Sequence, residues 1–171
     1  EGEWLMALLL RKGERKEDSW LRVVEYLLDW TATEGNDSKK QLRERIRETN
    51  KRALQSLDKR DHVAYLNRYA ILEYKKGSVA EGRTQFENLV TAFPRRADLW
   101  TVYLDMESKY GTETDHLRSL FEKATQLSLR PNAMKLIFKK FLLFEKQNGT
   151  QNSEKKVKRA ASEYVSKLAN K

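Results

Sequence analysis

Two groups of basic side chains have types and spacing that could do chemistry in this 171-residue chain, and that chemistry is the holding of a polyanion. Lys40, Arg43, Arg47 and Lys51 fall at steps of 3, 4 and 4. On a helix those steps make one row, opposite the apolar positions, with Arg45 and Arg52 beside it. Such a row meets a phosphate backbone, each contact releasing counterions, and arginine adds a bidentate fork. The second group is Lys135, Lys139 and Lys140, followed by Lys155, Lys156, Lys158 and Arg159. The run Lys155-Lys156-Val157-Lys158-Arg159 also reads as a nuclear-import signal. Arg95-Arg96, after Pro94 in a turn, is placed to touch phosphate or to pair with Asp98. The competing reading of every row is a solvated outer face, the first partly paired with Glu44 and Glu48.

Net charge supports the polyanion reading. The chain carries +9 overall, but residues 1–38 hold 5 basic and 9 acidic side chains and residues 61–128 hold 9 and 10. The excess lies in residues 39–60, with 9 basic and 3 acidic, and in residues 129–171, with 11 and 3. Positive charge gathered on particular helices is what a nucleic-acid surface needs.

Other chemistry finds no residues. There is no cysteine, which removes disulfides, thiolate zinc sites and thiol nucleophiles. His62 and His116 stand far apart without metal-ligand spacing. Glu25 and Asp29 lie one turn apart with no sign of a pocket. No phosphate-binding glycine loop, nucleophile motif or metal box is present. The expectation is a non-catalytic protein with no cofactor, no metal and no small-molecule substrate. The longest apolar run, Trp4 to Leu10, is far shorter than the ~20 residues a bilayer demands, so no membrane partner is expected either. The 17 aromatic side chains fall mostly at core spacing, which leaves no evident base-stacking platform.

The elements that must present these rows are helices. Leu66, Tyr69, Glu73 and Gly77 form a set whose offsets recur in Trp100, Tyr103, Glu107 and Gly111, and again in Phe138, Phe141, Glu145 and Gly149. Successive sets start 34 and 38 residues apart. Periods of that size mark helical repeat arrays, in which stacking buries faces that one repeat alone leaves open. The sequence predicts nine helices: Trp4 to Lys12, Asp18 to Thr31, Ser38 to Leu57, His62 to Lys76, Ser78 to Phe93, Ala97 to Tyr110, Thr114 to Leu129, Pro131 to Gln147, and one capped by Ser153. Ser38 is the expected N-cap of the third, and Gly77 is expected to supply positive φ. The last helix is expected to turn Val157, Ala160, Ala161, Tyr164, Val165 and Leu168 inward. Each set's aromatics should face the next helix, and each glutamate should accept hydrogen bonds from the neighbouring repeat, since an unpaired buried carboxylate is costly. The fold class is all-α, an α-α superhelix (solenoid) of about four helical hairpins. One array spans 1–171, with a degenerate repeat at 1–57 and clear repeats at 58–93, 95–129 and 131–169. The chain is expected to be a piece of something longer.

The aromatic–aromatic–Glu–Gly pattern resembles the HAT (half-a-TPR) repeat. So do the second-helix stretches Gly82-Arg83-x-x-Phe86-Glu87 and Leu117-Arg118-x-x-Phe121-Glu122. Tyr69-Ala70-Ile71-Leu72-Glu73-Tyr74, Phe86-Glu87-Asn88-Leu89-Val90, Arg95 to Trp100 and Leu120 to Ala124 look like the C-terminal repeats of the large ribosomal-RNA-processing factor that carries a string of S1 domains. That resemblance covers residues 50–150 best. It implies a scaffold that binds pre-ribosomal RNA and small-subunit assembly factors in the nucleus, at the nucleolus. The alternatives are a protein-interaction platform with no RNA contact, and HAT scaffolds of splicing or 3′-end processing.

Overall fold

A computed structural model describes residues 16–169; the segment from Trp4 to Lys12 lies outside them. Every regular element among the described residues is helical. Eight α-helices follow one another: α1 Lys16–Thr33, α2 Asn36–Ser56, α3 His62–Lys76, α4 Val79–Ala92, α5 Ala97–Tyr110, α6 Thr114–Thr125, α7 Pro131–Asn148 and α8 Gln151–Ala169, with a short 3₁₀ turn at Lys59–Asp61. Short connections make α1–α2, α3–α4, α5–α6 and α7–α8 antiparallel hairpins. Two compact units divide the chain, Glu1–Ala92 and Phe93–Lys171.

In the first unit, α1 pairs with α2, α3 pairs with α4, and α3 also lies against α1. The core is built by Val24 and Leu28 of α1, Ile46 and Ala53 of α2, and Tyr65 and Tyr69 of α3. The Tyr65 hydroxyl donates to Asn50 Oδ1 at 2.6 Å. In the degenerate first hairpin, Leu27 and Thr31 stand where the later repeats have glutamate and glycine. Both are buried, and the Thr31 hydroxyl is satisfied on the Leu28 carbonyl at 2.6 Å.

In the second unit, α5 pairs with α6 and α7 with α8, and α7 lies against both α5 and α6. Phe121 stacks on Phe141 with centroids 5.0 Å apart and planes 5° from parallel. Leu104, Leu120, Met134 and Ile137 complete that core.

The recurring four positions do one job. Glu73, Glu107 and Glu145 are 0–1% exposed, buried more deeply than an ordinary carboxylate tolerates without partners. The Arg43 guanidinium, from α2, donates to both Glu73 oxygens at 2.9 and 2.8 Å. The Tyr69 hydroxyl adds a third bond at 2.8 Å. The Ser78 N–H, just before α4, adds a fourth at 3.0 Å. In the second unit, Arg118 Nε of α6 donates to Glu145 at 2.7 Å, and the Ser153 hydroxyl of α8 donates at 2.6 Å. Both arginines come from the second helix of the preceding hairpin, so each carboxylate ties one hairpin to the next. Burial, and then the Glu73 carboxylate, pushes the Tyr69 phenol far above its usual range, which keeps it a donor. Glu145 likewise pushes the Arg118 guanidinium up.

The glycines are there for space, and positive φ at Gly77 is corrected. Gly77, Gly111 and Gly149 have φ of −109°, −70° and −109°. A Cβ at Gly77 would fall 2.1 Å from Glu73 Oε2, at Gly111 2.2 Å from Glu107 Oε1, and at Gly149 1.9 Å from Glu145 Oε2. The carboxylate folds back over the helix end, and only a residue without a side chain leaves it room.

Other expectations also need correction. Gly35, not Ser38, is the N-cap of α2, because the helix starts three residues earlier. Ser153 lies inside α8. Thr150 takes the cap, receiving the Ser153 N–H at 3.2 Å while Ser153 Oγ accepts the Thr150 N–H at 2.9 Å, a reciprocal capping box. Helix α6 stops at Thr125, short of Leu129. Its last N–H groups turn to i−3 carbonyls, Gln126 to Lys123 and Leu127 to Ala124, and Arg130, held extended at ψ 143°, obeys the restriction on a residue before proline. Of the six α8 positions expected inside, only Val157 is buried.

Candidate nucleic-acid interface

Helix α2 presents the first basic row, and the row divides. Leu42, Ile46 and Ala53 fix the buried side. Lys40, Arg47 and Lys51 lie within about 40° of one another round the helix and opposite that side, and all three are exposed. Arg43 follows Leu42 and sits only about 100° round from it, at the seam with α3. Its side chain is 24% exposed and engaged with Glu73. A sequence step of 3 or 4 keeps residues neighbouring but drifts the row, and here the drift carries Arg43 into the packing.

The outer row is partly neutralised. Arg47 meets Glu44 at 2.9 Å and Glu81 of α4 at 3.9 Å, and Arg52, on the other flank, meets Glu48 at 3.4 Å. These are solvent-screened contacts between exposed groups, each worth little, and a phosphate can displace them. Lys40 and Lys51 have no ion pair among the described residues.

In the second unit, Lys135 and Lys139 of α7 are exposed. Lys140 is turned the other way and bound to Asp105 of α5. On α8, Lys155, Lys156, Lys158 and Arg159 are all exposed. Lys155 and Arg159 lie opposite the buried Val157, and Lys156 and Lys158 flank it. Lys158 and Arg159 lie 3.9 and 4.0 Å from Glu154 and Glu163 one turn away. Arg96 is paired with Asp98 at 2.6 Å, the second of the two roles open to that turn. Each unit therefore carries exposed cations on helix faces away from its core.

One exposed feature escaped the sequence reading. Tyr26 and Trp30, one turn apart on α1, are 50% and 40% exposed, with ring centroids 5.8 Å apart. Their only signal is that both fall off the Trp20–Val24–Leu27–Leu28 stripe. Their neighbours Glu25 and Asp29 are acidic, though both bind Lys76 at 2.9 Å.

Among the described residues no group of three or more His, Asp or Glu side chains could hold a metal ion, and no helix is long and apolar enough to cross a membrane. The geometry is that of helical hairpins tied by half-buried arginines on buried glutamates and coated with cations. The family model of the PRP39 N-terminal HAT repeat matches residues 61–167. This chain belongs to the HAT-repeat family. Within it, the HAT module is 39% identical over 161 residues to the rRNA biogenesis protein RRP5 of Arabidopsis thaliana, which covers 94% of this chain and 8% of that protein. It is 37% identical over 161 residues to rRNA biogenesis protein rrp5 of Schizosaccharomyces pombe, covering 94% and 9%. It is 42% identical over 114 residues to the RRP5 homologue of Mus musculus, covering 67% and 6%. The chain spans less than a tenth of the length of these relatives.

Proposed function

We propose that this HAT module is a non-catalytic scaffold of ribosome biogenesis that holds pre-ribosomal RNA by its phosphate backbone. It serves assembly of the small subunit, alongside assembly-factor partners, in the nucleolus. The observation that carries the reading is the outward row of α2: Lys40, Arg47 and Lys51 share one face, and two of them are free of carboxylate partners among the described residues. Lys135 and Lys139 of α7 and Lys155, Lys156, Lys158 and Arg159 of α8 extend the cationic surface of the second unit. Arg43 and Lys140 are left out of the contact set, because Glu73 and Asp105 hold them. The names of the relatives, all RRP5 proteins and two described as rRNA biogenesis proteins, support pre-ribosomal RNA as the class of RNA. Recognition through lysine and arginine without stacked bases reads backbone and shape more than sequence.

The test is a titration of single-stranded RNA against the chain over a range of salt. Each phosphate contact on a single strand adds about 0.7 to the slope of log affinity against log salt. Lys40→Glu, Arg47→Glu and Lys51→Glu combined should lower the slope by about 2 and weaken binding while helix content stays constant. An unchanged slope and affinity at low salt removes α2 from the RNA surface.

A further inference from the structure

The outward face of α8 carries one reactive group that the RNA reading does not use. Ser162 is exposed. It follows Arg159 by three residues and Lys158 by four, so both cations lie one turn back on its own face. Lys155, two turns back, lies within about 20° of it round the helix. Ser162 therefore stands among the cations that point away from Val157. Among the described residues no other exposed serine or threonine has a basic residue at both of those positions. Ser19 has the pattern, but it is buried. Ser166, one turn on, bonds its hydroxyl to the Ser162 carbonyl at 3.0 Å, whereas the Ser162 hydroxyl has no partner among the described residues.

Helix α8 also gives an enzyme access. A kinase must draw the chain around its target hydroxyl out of the helix, so the cost of local opening decides whether it can act. Val157 is the one buried residue of α8, and from Lys158 to Ala169 none is buried. Opening that length gives up the contact of Tyr164 with Phe138 and little other apolar cover. We propose that Ser162 is a phosphorylation site for a serine kinase that selects basic residues before its target, and that the phosphate withdraws α8 from RNA. The Ser162 oxygen attacks the γ-phosphorus of ATP, the bond from that phosphorus to the β–γ bridging oxygen breaks, ADP leaves, and the hydroxyl proton passes to the kinase's catalytic carboxylate. The phosphate brings about −1.5 to −2 charges. Helix α8 holds five basic and two acidic side chains, a net of +3, so most of its excess is cancelled. Lys158 and Arg159 are close enough along the helix to meet the phosphate. Their present contacts with Glu154 and Glu163, at 3.9 and 4.0 Å, are long and solvent-screened. Held by the phosphate, both cations are lost to RNA.

The switch rests on the RNA reading; the phosphorylation does not. The test treats the chain with ATP and a calcium/calmodulin-dependent serine kinase, which takes arginine three residues before its serine, and locates the phosphate by mass spectrometry. Phosphate should enter at Ser162. Ser162→Ala should abolish that incorporation, and Arg159→Ala should slow it about tenfold or more, as loss of one partner of a charge pair does. The phosphorylated chain is then titrated with single-stranded RNA over a range of salt. Its slope of log affinity against log salt should be lower by about 1.4, two contacts at about 0.7 each, with helix content unchanged. Ser162→Ala treated in the same way should keep the parent slope. Lys158→Glu with Arg159→Glu, unphosphorylated, should lower the slope by a similar amount. No phosphate at Ser162, or incorporation indifferent to Arg159→Ala, overturns the site. Phosphate at Ser162 that leaves the slope unmoved, when the charge-reversed pair lowers it, overturns the switch. If neither lowers it, α8 is not an RNA surface, and that part of the RNA reading falls together with the switch.

Discussion

Replacing Gly77 by alanine separates two reasons for a glycine at a helix end. If Gly77 were there for backbone freedom, its negative φ of −109° would let alanine in, and the stiffer unfolded chain would stabilise the protein by about 0.4–1 kcal/mol. The structure predicts the opposite sign. The new Cβ would fall 2.1 Å from Glu73 Oε2 and 3.0 Å from Leu28 Cδ2. The leucine methyl can give by a few tenths of an ångström, but the carboxylate must leave. It then loses both Arg43 bonds, the Tyr69 hydroxyl and the Ser78 N–H. Breaking a buried pair by removing one partner costs about 3–5 kcal/mol. Partial relaxation and the unfolded-state term reduce this, so the net loss is about 2–4 kcal/mol. For a chain of this size that is a fall in Tm of roughly 5–15 °C. The assay is urea denaturation of four proteins: the parent, Gly77→Ala, Glu73→Ala and the double variant. Glu73→Ala should itself cost about 3–5 kcal/mol, because Arg43 and Tyr69 are left facing nothing. On that background Gly77→Ala should be close to neutral, giving a coupling of about 2–4 kcal/mol. Equal destabilisation with and without Glu73 would show that the glycine answers to something other than the carboxylate, and would refute the steric argument at this repeat.

Two further outcomes follow from buried or paired groups. Tyr65→Phe should cost about 1–3 kcal/mol, because Asn50 Oδ1 loses its 2.6 Å partner inside the core; pairing it with Asn50→Leu should recover part of the loss in the same denaturation assay. The Arg96 guanidinium, bonded to Asp98, holds that carboxyl below its ordinary value. A depressed carboxylate contributes stability that is present at neutral pH and fades as pH falls through the folded-state value, so NMR titration should find Asp98 protonating late on acidification. Arg96→Ala should return its midpoint to the normal range, and an unmoved midpoint would deny the pair.

Much of this fold is visible in residue order because its signals are local. His62–Lys76 and Ala97–Tyr110 end where the sequence places their ends, each closed by a glycine four residues after a glutamate. Even the carboxylates' need for partners follows from their place on an apolar face. What the order of residues does not carry is the distance between elements. Gly77 reads as a conformational device until Glu73 is seen folded over it, since only coordinates distinguish a residue that needs a rare φ from one that needs an empty Cβ position. Ser38 and Ser153 are good capping types, but Gly35 and Thr150 reach the helix starts first.

The same limit governs the candidate site. Four cations at helical steps look like one surface, yet an α-helix turns about 100° per residue, and a row that begins opposite the core can have a member at its seam. Arg43 is that member: its Nη1 is shared by both oxygens of Glu73, at the seam with α3. The apolar period of α8 carries the converse lesson. Periodicity states which face prefers to avoid water, yet Val157 is the one fully buried position of the stripe, Tyr164 is half-covered on Phe138, and Val165 and Leu168 stay exposed. In each unit the second helix of the first hairpin supplies the arginine that the next hairpin's glutamate requires, Arg43 for Glu73 and Arg118 for Glu145. Cations on that helix therefore divide by angle between holding the array together and meeting what it binds, and charge reversal on either side of the seam should report stability on one and affinity on the other.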